Sequence, residues 1–279
     1  MKDKEIGKNL QNILQSPSYR LAEEDTEFLQ RPDLRPVRLQ LELLKPEMIL
    51  SEQQIQSTVV LFGGTQILER TVAEERLDQA CKALEKSPQD VTLQRAVTRS
   101  EKILAKSKYY DAAREFATIV SIAGQKNDQY DYVIITGGGP GIMEAGNRGA
   151  FDVGHKSIGL NITLSEEQSP NPYITPELCF QFHYFALRKM HFLFRAKAIV
   201  VFPGGFGTLD ELFCALTLRQ THRMQQIPII LFDKAYWENV VNFSFLADEG
   251  VIHDEHLDLI HYAETPEHAW NIVLEFHAN

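Results

Sequence analysis

Two glycine-rich turns in this chain combine the residue types that bind anions. The first reads Thr136-Gly-Gly-Gly-Pro-Gly-Ile-Met-Glu144, and the second reads Pro203-Gly-Gly-Phe-Gly-Thr-Leu-Asp-Glu211. Glycine lets the backbone approach a ligand closely, and a helix that follows presents free N–H groups and the positive end of its dipole. Such a turn binds phosphate, although a tight strand-to-helix turn without a ligand is the alternative for either cluster alone.

The elements around these turns alternate between apolar strands and helices. Predicted strands occupy residues 58–62, 132–135, 157–161, 198–202, 227–232 and, more weakly, 257–261. Predicted helices occupy residues 109–123, 141–153, 183–196, 208–220, 236–248 and 266–276. Continuous apolar strands joined through helices indicate an α/β fold with a Rossmann-like, doubly wound parallel sheet. Both turns then lie at the carboxyl edge of one sheet, where such folds bind ligands, which favours a ligand over bare turns.

Two further helical regions surround this domain. Residues 1–56 are predicted to form a helical N-terminal extension, with Pro17, Pro32, Pro36 and Pro46 as breaks. Residues 67–106 carry charges at helical spacing and are interrupted near Ser87, which predicts a helical pair inserted after the first strand. The nucleotide-binding domain is therefore placed at residues 57–279.

Composition excludes several classes of protein. The chain has 279 residues and a formal net charge of -10, which disfavours broad nucleic-acid binding. Its three cysteines show no metal-binding spacing and are expected to be reduced thiols. No apolar leader and no run of 18 apolar residues is visible, so we expect a cytoplasmic protein without membrane contact. Neither a metal nor a cofactor is expected.

The familiar nucleotide-binding patterns fit poorly. In a G-x-G-x-x-G comparison, Gly137 and Gly139 match, but Ile142 occupies the third glycine position. The next strand ends at Asn161, without the acidic residue that binds ribose in dinucleotide folds. No Walker-type P-loop occurs. NAD and ATP are therefore disfavoured as ligands.

Two charged residues near the second turn could do chemistry. Glu211 stands three residues after Thr208, where a carboxylate could serve a reaction or only complete a capping box with the threonine. Arg188 has a guanidinium fork that suits phosphate or ribose hydroxyls. A cation on a helix surface is the alternative for Arg188, and the residues alone leave both questions open.

Both turns, together with Arg188-Lys189-Met190, resemble the Lonely Guy (LOG) family of cytokinin riboside 5′-monophosphate phosphoribohydrolases, often labelled "lysine decarboxylase". The resemblance covers about residues 57–275. It implies a Rossmann-like fold, a homodimer or higher homo-oligomer, and hydrolysis of a purine or cytokinin-type nucleoside 5′-monophosphate to free base and ribose 5-phosphate. The N-terminal extension, the inserted helical pair, Gly63-Gly64-Thr65 and the His-Tyr-Phe-Ala-Leu before Arg188 depart from the plant pattern. These departures point to a long bacterial form that prefers AMP or another ordinary nucleotide.

The resemblance assigns roles to particular residues. Glu211 and Arg188 become the catalytic pair, with Glu211 near the ribose to stabilise an oxocarbenium-like state and orient or deprotonate water. Substrate binding is assigned to Gly138, Gly139, Met143, Glu167, Lys189, Gly204, Gly205, Phe206, Gly207, Thr208 and Thr217. A core role for Met143 and a hydrogen-bonded helix hydroxyl for Thr217 are the alternatives.

Two other functions compete with hydrolysis. A nucleotide sensor or carrier would use the same fold and bind without turnover. A pyridoxal-phosphate decarboxylase would need a lysine that forms a Schiff base, and only Lys189 stands in a suggestive position.

Overall fold

The computed structural model describes residues 2–126, 129–163 and 169–278. The chain divides into two compact units, Met1–Lys45 and Pro46–Asn279. The first unit contains helices α1 (Lys2–Gln15) and α2 (Thr26–Leu29), with 3-10 turns at Pro17–Tyr19 and Pro32–Leu34. Helix α3 (Arg35–Glu52) continues into the second unit with Pro46 inside it, so the predicted break at this proline is wrong.

A parallel sheet forms the centre of the second unit. In the described residues it has seven strands: β1 (Thr58–Phe62), β4 (Val133–Thr136), β5 (Ser157–Ile162), β6 (Cys179–Phe182), β7 (Ala196–Val201), β8 (Ile229–Phe232) and β9 (Ile260–Ala263). Strands β2 (Gln125–Lys126) and β3 (Gln129–Tyr130) form a separate antiparallel pair. The spatial order is β6-β5-β4-β1-β7-β8-β9, so the chain winds outward from β1 in both directions. This order confirms the predicted doubly wound α/β fold.

Helices cover both faces of the sheet. They are α4 (Arg70–Lys86), α5 (Val91–Ala105), α6 (Ser107–Gly124), α7 (Ile142–Asp152), α8 (Phe185–Phe194), α9 (Phe206–Gln220), α10 (Lys234–Val240), α11 (Phe243–Asp248) and α12 (Pro266–Ala278). On one face, Val59 and Leu61 join a buried cluster with α6, α7 and α12. On the other face, the ring of Phe62 packs edge-on against Phe192 of α8, with centroids 5.0 Å apart. Every residue of β1 is buried, as expected for a central parallel strand.

Several predicted boundaries differ from the structure. Strand β6 lies in residues for which the sequence predicted no element, and the predicted helix 236–248 is two helices. The side chain of Asn242 caps α11 by accepting from the Phe245 N–H at 3.0 Å, which separates α11 from α10. The last strand begins at Ile260, after a 3-10 helix at Asp254–Leu259, rather than at residue 257. The inserted helical pair is present as α4 and α5.

Candidate functional site

A cavity of about 360 Å³ lies at the carboxyl edge of the sheet, where β4, β1 and β7 are neighbours. The winding direction reverses at this point, so the turns after β1 and β7 diverge and leave a crevice. The turns after β1, β4 and β7, the end of β5, and helices α8 and α9 line the cavity. The two predicted glycine turns therefore face one shared space.

The start of α9 presents free backbone N–H groups at the cavity. The helix begins at Phe206, and its N-cap Gly205 contributes no side-chain hydrogen bond. Among the described residues, no acceptor meets the N–H groups of Phe206, Gly207 and Thr208. Uncapped N–H groups at the positive end of a helix attract phosphate. Helix α9 thus starts two residues before the predicted Thr208, and Thr208 with Glu211 does not form a capping box.

Tyr236, outside the cavity, holds the backbone of the second glycine turn just before α9. Its hydroxyl donates to the Gly204 carbonyl at 2.9 Å, and the Gly64 N–H donates to the Pro203 carbonyl at 2.9 Å. In a trans peptide the C=O and the following N–H point in opposite directions. The Gly205 N–H is therefore directed away from Tyr236, which adds one more donor to the N–H groups of α9.

The other glycine turn, residues 137–141, has several of its polar groups paired within the protein. The Ile142 N–H at the start of α7 donates to the Gly64 carbonyl at 3.2 Å. Asn171 donates its backbone N–H to the Gly138 carbonyl at 2.8 Å and its side-chain Nδ2 to the Gly139 carbonyl at 3.1 Å. The start of α7 therefore has less to offer a phosphate than the start of α9, and residues 137–141 form a wall of the cavity.

Arg188 and Glu211 meet inside the cavity. The Arg188 Nη1 lies 3.8 Å from the Glu211 Oε1, and their side chains are only 11% and 17% exposed. The Arg188 Nε donates to the Leu160 carbonyl at 2.7 Å, and its guanidinium lies over the ring of Phe192. These contacts hold the guanidinium in one orientation, with part of its fork free to meet a ligand.

Burial sets the protonation of this pair. Burial raises the pKa of the Glu211 carboxyl to about 7, although the positive charge of Arg188 opposes the shift. Burial also lowers the pKa of the Arg188 guanidinium, against the opposing effect of Glu211. Since arginine stays charged at neutral pH, the group that titrates is Glu211. A carboxyl with a pKa near 7 can both take and return a proton, as general acid–base chemistry requires.

The raised pKa of Glu211 predicts a pH-dependent stability. Between pH 5 and 8 the Glu211 carboxyl is already mostly ionised in the unfolded chain but is still losing its proton in the folded chain. The free energy of unfolding should therefore fall as pH rises, because the ionised carboxylate is buried in the fold. Glu211→Gln removes the titration. We expect the free energy of unfolding of Glu211→Gln, minus that of the wild type, to rise by about 2 kcal/mol from pH 5 to pH 8. Urea unfolding at the two pH values measures the change, and Asp210→Asn, at an exposed neighbour, provides the control.

The structure brings most of the predicted site residues to the cavity. Lining residues that the sequence singled out are Gly139, Met143, Arg188, Gly205, Phe206, Gly207, Thr208 and Glu211. Gly138 and Gly204 belong to the same turns but do not line the space. Glu167 lies outside the described residues.

Two predicted contacts lie away from the cavity. Lys189 forms an ion pair with the exposed carboxylate of Asp210 at 2.6 Å. The hydroxyl of Thr217 is exposed and donates to the Phe213 carbonyl at 2.7 Å, which matches the alternative stated for a helix hydroxyl. Their substrate-binding roles stay predictions.

Sequence reasoning missed several residues that shape the cavity. Thr65, Asn161, Ile162 and Phe185 line it, and Tyr236 and Asn171 hold its turns. Asn161 carried a signal, because it ends a predicted strand at the edge where ligands bind. Tyr236 and Asn171 carried none, since their contacts arise only from the tertiary fold.

Fold and cavity together define a Rossmann-like protein whose cavity, at the carboxyl edge of the sheet, is lined by the start of a helix with free N–H groups. Residues 143–273 match the family model described as "Possible lysine decarboxylase". The matched segment carries Arg188, Lys189 and the second glycine turn. It supports the predicted resemblance to the LOG family, to which that label is often applied. No curated protein matches the chain.

Several solved structures resemble the chain, and two of them illustrate the low sequence identity of these matches. The molybdenum cofactor binding protein from the phototrophic bacterium Rippkaea orientalis is 16% identical, with a TM-score of 0.45, and the match covers 61% of this chain and 88% of that chain. The structural genomics target TM1055 is 19% identical, with a TM-score of 0.46, and the match covers 78% of this chain and 99% of that chain.

Proposed function

We propose that this protein hydrolyses the N-glycosidic bond of a nucleoside 5′-monophosphate, most readily a purine nucleotide, to free base and ribose 5-phosphate. One observation carries the proposal. A buried carboxyl with a pKa near 7, Glu211, faces the same cavity as the uncapped N–H groups of α9. The match to the LOG-type family model agrees with this chemistry.

The phosphate would bind at the start of α9. Its negative charge complements the N–H groups of Gly205, Phe206 and Gly207, and the Thr208 hydroxyl adds a fourth polar group. Glu211 lies four residues after Gly207, one turn along the same face of the helix. A phosphate anchored at the first turn thus places the ribose, rather than the base, beside the Glu211 carboxylate.

Glu211 and Arg188 would then share the chemical step. As the C1′–N bond lengthens, its electron pair moves to the base and positive charge grows on the ribose, which ionised Glu211 stabilises. The carboxylate takes a proton from a water whose oxygen bonds to C1′. The protonated Glu211 then gives this proton to the departing base, which returns the carboxylate to its ionised form. Arg188 holds Glu211 by charge and offers its free N–H groups to substrate oxygens.

The decarboxylase alternative fits the cavity poorly. Pyridoxal phosphate chemistry requires a lysine that forms a Schiff base with the cofactor. Among the described residues that line the cavity, none is a lysine, and Lys189 pairs with exposed Asp210.

A product assay tests the proposed reaction. Purified protein is incubated with AMP, GMP, IMP, CMP, UMP and cytokinin riboside monophosphates, and free base is measured by chromatography. We expect base release from at least one monophosphate, and at least about 100-fold slower release from the matching nucleoside, because two charge-assisted phosphate contacts are lost. Binding of nucleotides without release of any base would instead establish a sensor or carrier.

Within the described residues, no helix is both long enough and apolar enough to cross a membrane. Nor do the described histidine, cysteine and acidic side chains form a group of three or more that could hold a metal ion.

A further inference from the structure

Asn161 is a polar residue of the cavity to which the reaction above gives no role. It is the second-to-last residue of β5 and borders the cavity. The residue before it, Leu160, supplies the carbonyl that accepts the Arg188 Nε at 2.7 Å. The same stretch of strand therefore anchors Arg188 and presents the Asn161 side chain beside it.

Contacts to β6 orient the Asn161 amide. Its Nδ2 lies 3.4 Å from the Cys179 Sγ and 3.5 Å from the Phe180 carbonyl, which can only accept. A flipped amide would place oxygen against that carbonyl, so these neighbours favour Nδ2 toward β6. The Oδ1 atom is then left as an acceptor, and among the described residues no donor meets it.

Gly138 makes room for this amide. A Cβ atom at residue 138 would lie 2.5 Å from Nδ2 and 2.7 Å from Oδ1 of Asn161, closer than side chains approach. Gly138 also has a φ of +74°, which disfavours other residues there. The glycine turn after β4 thus leaves space for the Asn161 carboxamide and also lines the cavity.

We propose that the Asn161 Oδ1 accepts a hydrogen bond from a ribose hydroxyl and makes the site selective for ribonucleotides over deoxyribonucleotides. This inference rests on the proposed function for the placement of the ribose. In dinucleotide-binding folds, a residue about 20 positions beyond the glycine turn, at the end of the next strand, binds the ribose hydroxyls. Asn161 occupies the corresponding end of β5 in this sheet.

Charge explains why an amide suits this position better than the carboxylate of dinucleotide folds. The cavity already contains Glu211 and, when occupied, a phosphate. A second carboxylate beside Arg188 would compete with Glu211 for the guanidinium and add negative charge near it. A neutral acceptor can bind a hydroxyl without this repulsion, whereas Asn161→Asp should raise the pKa of Glu211 and weaken nucleotide binding.

Binding measurements with hydroxyl-deleted nucleotides test the inference. AMP, 2′-deoxy-AMP and 3′-deoxy-AMP are titrated by calorimetry into Glu211→Gln, which prevents turnover, with and without Asn161→Ala. We expect AMP to bind at least about 10-fold more tightly than one of the two analogues, since a site built around a hydroxyl rejects ligands that lack it. Asn161→Ala should remove this preference and leave the affinity for that analogue nearly unchanged.

A matched variant separates recognition from structure. Thr163→Ala removes a hydroxyl that bridges β5 and β6 outside the cavity, by donating to the Phe182 carbonyl at 3.2 Å. It should keep the ribose preference. The ratio of kcat/KM for AMP and its analogues, measured with intact Glu211, provides a second readout.

The outcomes separate this inference from the proposed function. Ribose preference that depends on Asn161, without base release by the wild type, would support the ribose site and contradict the hydrolase. Equal affinities for all three nucleotides, or an equal loss for all three in Asn161→Ala, would overturn the ribose site alone. Absence of binding by any nucleotide would overturn both.

Discussion

Glu211→Gln should lower kcat for base release by about 10²- to 10⁴-fold, the range expected when a general acid–base group is removed. Glutamine preserves the shape of the side chain but can neither take a proton nor carry the negative charge that stabilises the ribose cation. Affinity for the nucleotide should change little, because the phosphate is held by the backbone of α9. Single-turnover kinetics and calorimetric titration measure the two quantities.

The neighbouring acidic residue provides the control. Asp210 is exposed and pairs with Lys189, so Asp210→Asn should retain kcat within a few-fold. Full turnover by Glu211→Gln would remove Glu211 from the mechanism.

The pH dependence of kcat/KM should follow the ionisation of Glu211. Because the ionised carboxylate is the active form, kcat/KM should fall below a pH of about 7, the pKa of Glu211 in the free protein. Each further unit of acidity should lower it by about tenfold. An activity that stays flat down to pH 5 would contradict a base at this position.

Replacement of Arg188 should have the second large effect. In Arg188→Met the buried Glu211 loses the cation that opposes its protonation, so the pKa of Glu211 should rise further. We expect kcat/KM at neutral pH to fall by at least about 10²-fold, from the shift in protonation together with the lost contacts to substrate. The acid limb of the pH profile should move to higher pH, which a general loss of folding would not produce.

Two further variants distinguish charge from geometry. Arg188→Lys keeps a cation but loses the planar fork that reaches the Leu160 carbonyl and Glu211 together, and should recover only part of the activity. Lys189→Met removes an adjacent cation that lies outside the cavity, and should have a small effect. If Lys189→Met were the more damaging change, the assignment of roles within the Arg188-Lys189 pair would be reversed.

The sheet could be predicted from the sequence because its strands are continuous apolar runs. Val59, Val60 and Leu61 form one such run, and burial on both faces is what a parallel sheet imposes. Strand β6 escaped detection because Cys179-Phe-Gln-Phe is only four residues long and alternates, as expected of a strand at the edge of the sheet.

Pro46 misled the prediction for a different reason. Arg195 donates to the Glu47 carboxylate at 2.9 Å and to the Ser51 hydroxyl at 2.8 Å. These bonds hold the segment after the proline as helix, and such long-range contacts override local propensity.

The site was predictable in its residue types but not in its energetics. Glycine turns at strand ends indicated an anion site. The sequence could not show that the first N–H of α7 is paired with the Gly64 carbonyl while, among the described residues, the first N–H groups of α9 find no acceptor. That difference depends on Gly64, which approaches from another part of the chain. The pKa of Glu211 likewise follows from burial beside Arg188, a property of packed helices rather than of a motif.

The predicted boundary between residues 56 and 57, the homo-oligomer and the cytoplasmic location stay predictions. Gel filtration with light scattering measures the oligomer directly.

The central claim is that Glu211 and the start of α9 act together to cleave the bond between base and ribose. A product balance on the wild-type protein tests it most directly, with free base measured by chromatography and phosphorylated products by phosphorus NMR. The account predicts free base and ribose 5-phosphate in equal amounts, and both formed at least about 100-fold more slowly by Glu211→Gln. Intact nucleotide recovered in full, or inorganic phosphate and nucleoside as the products, would contradict it.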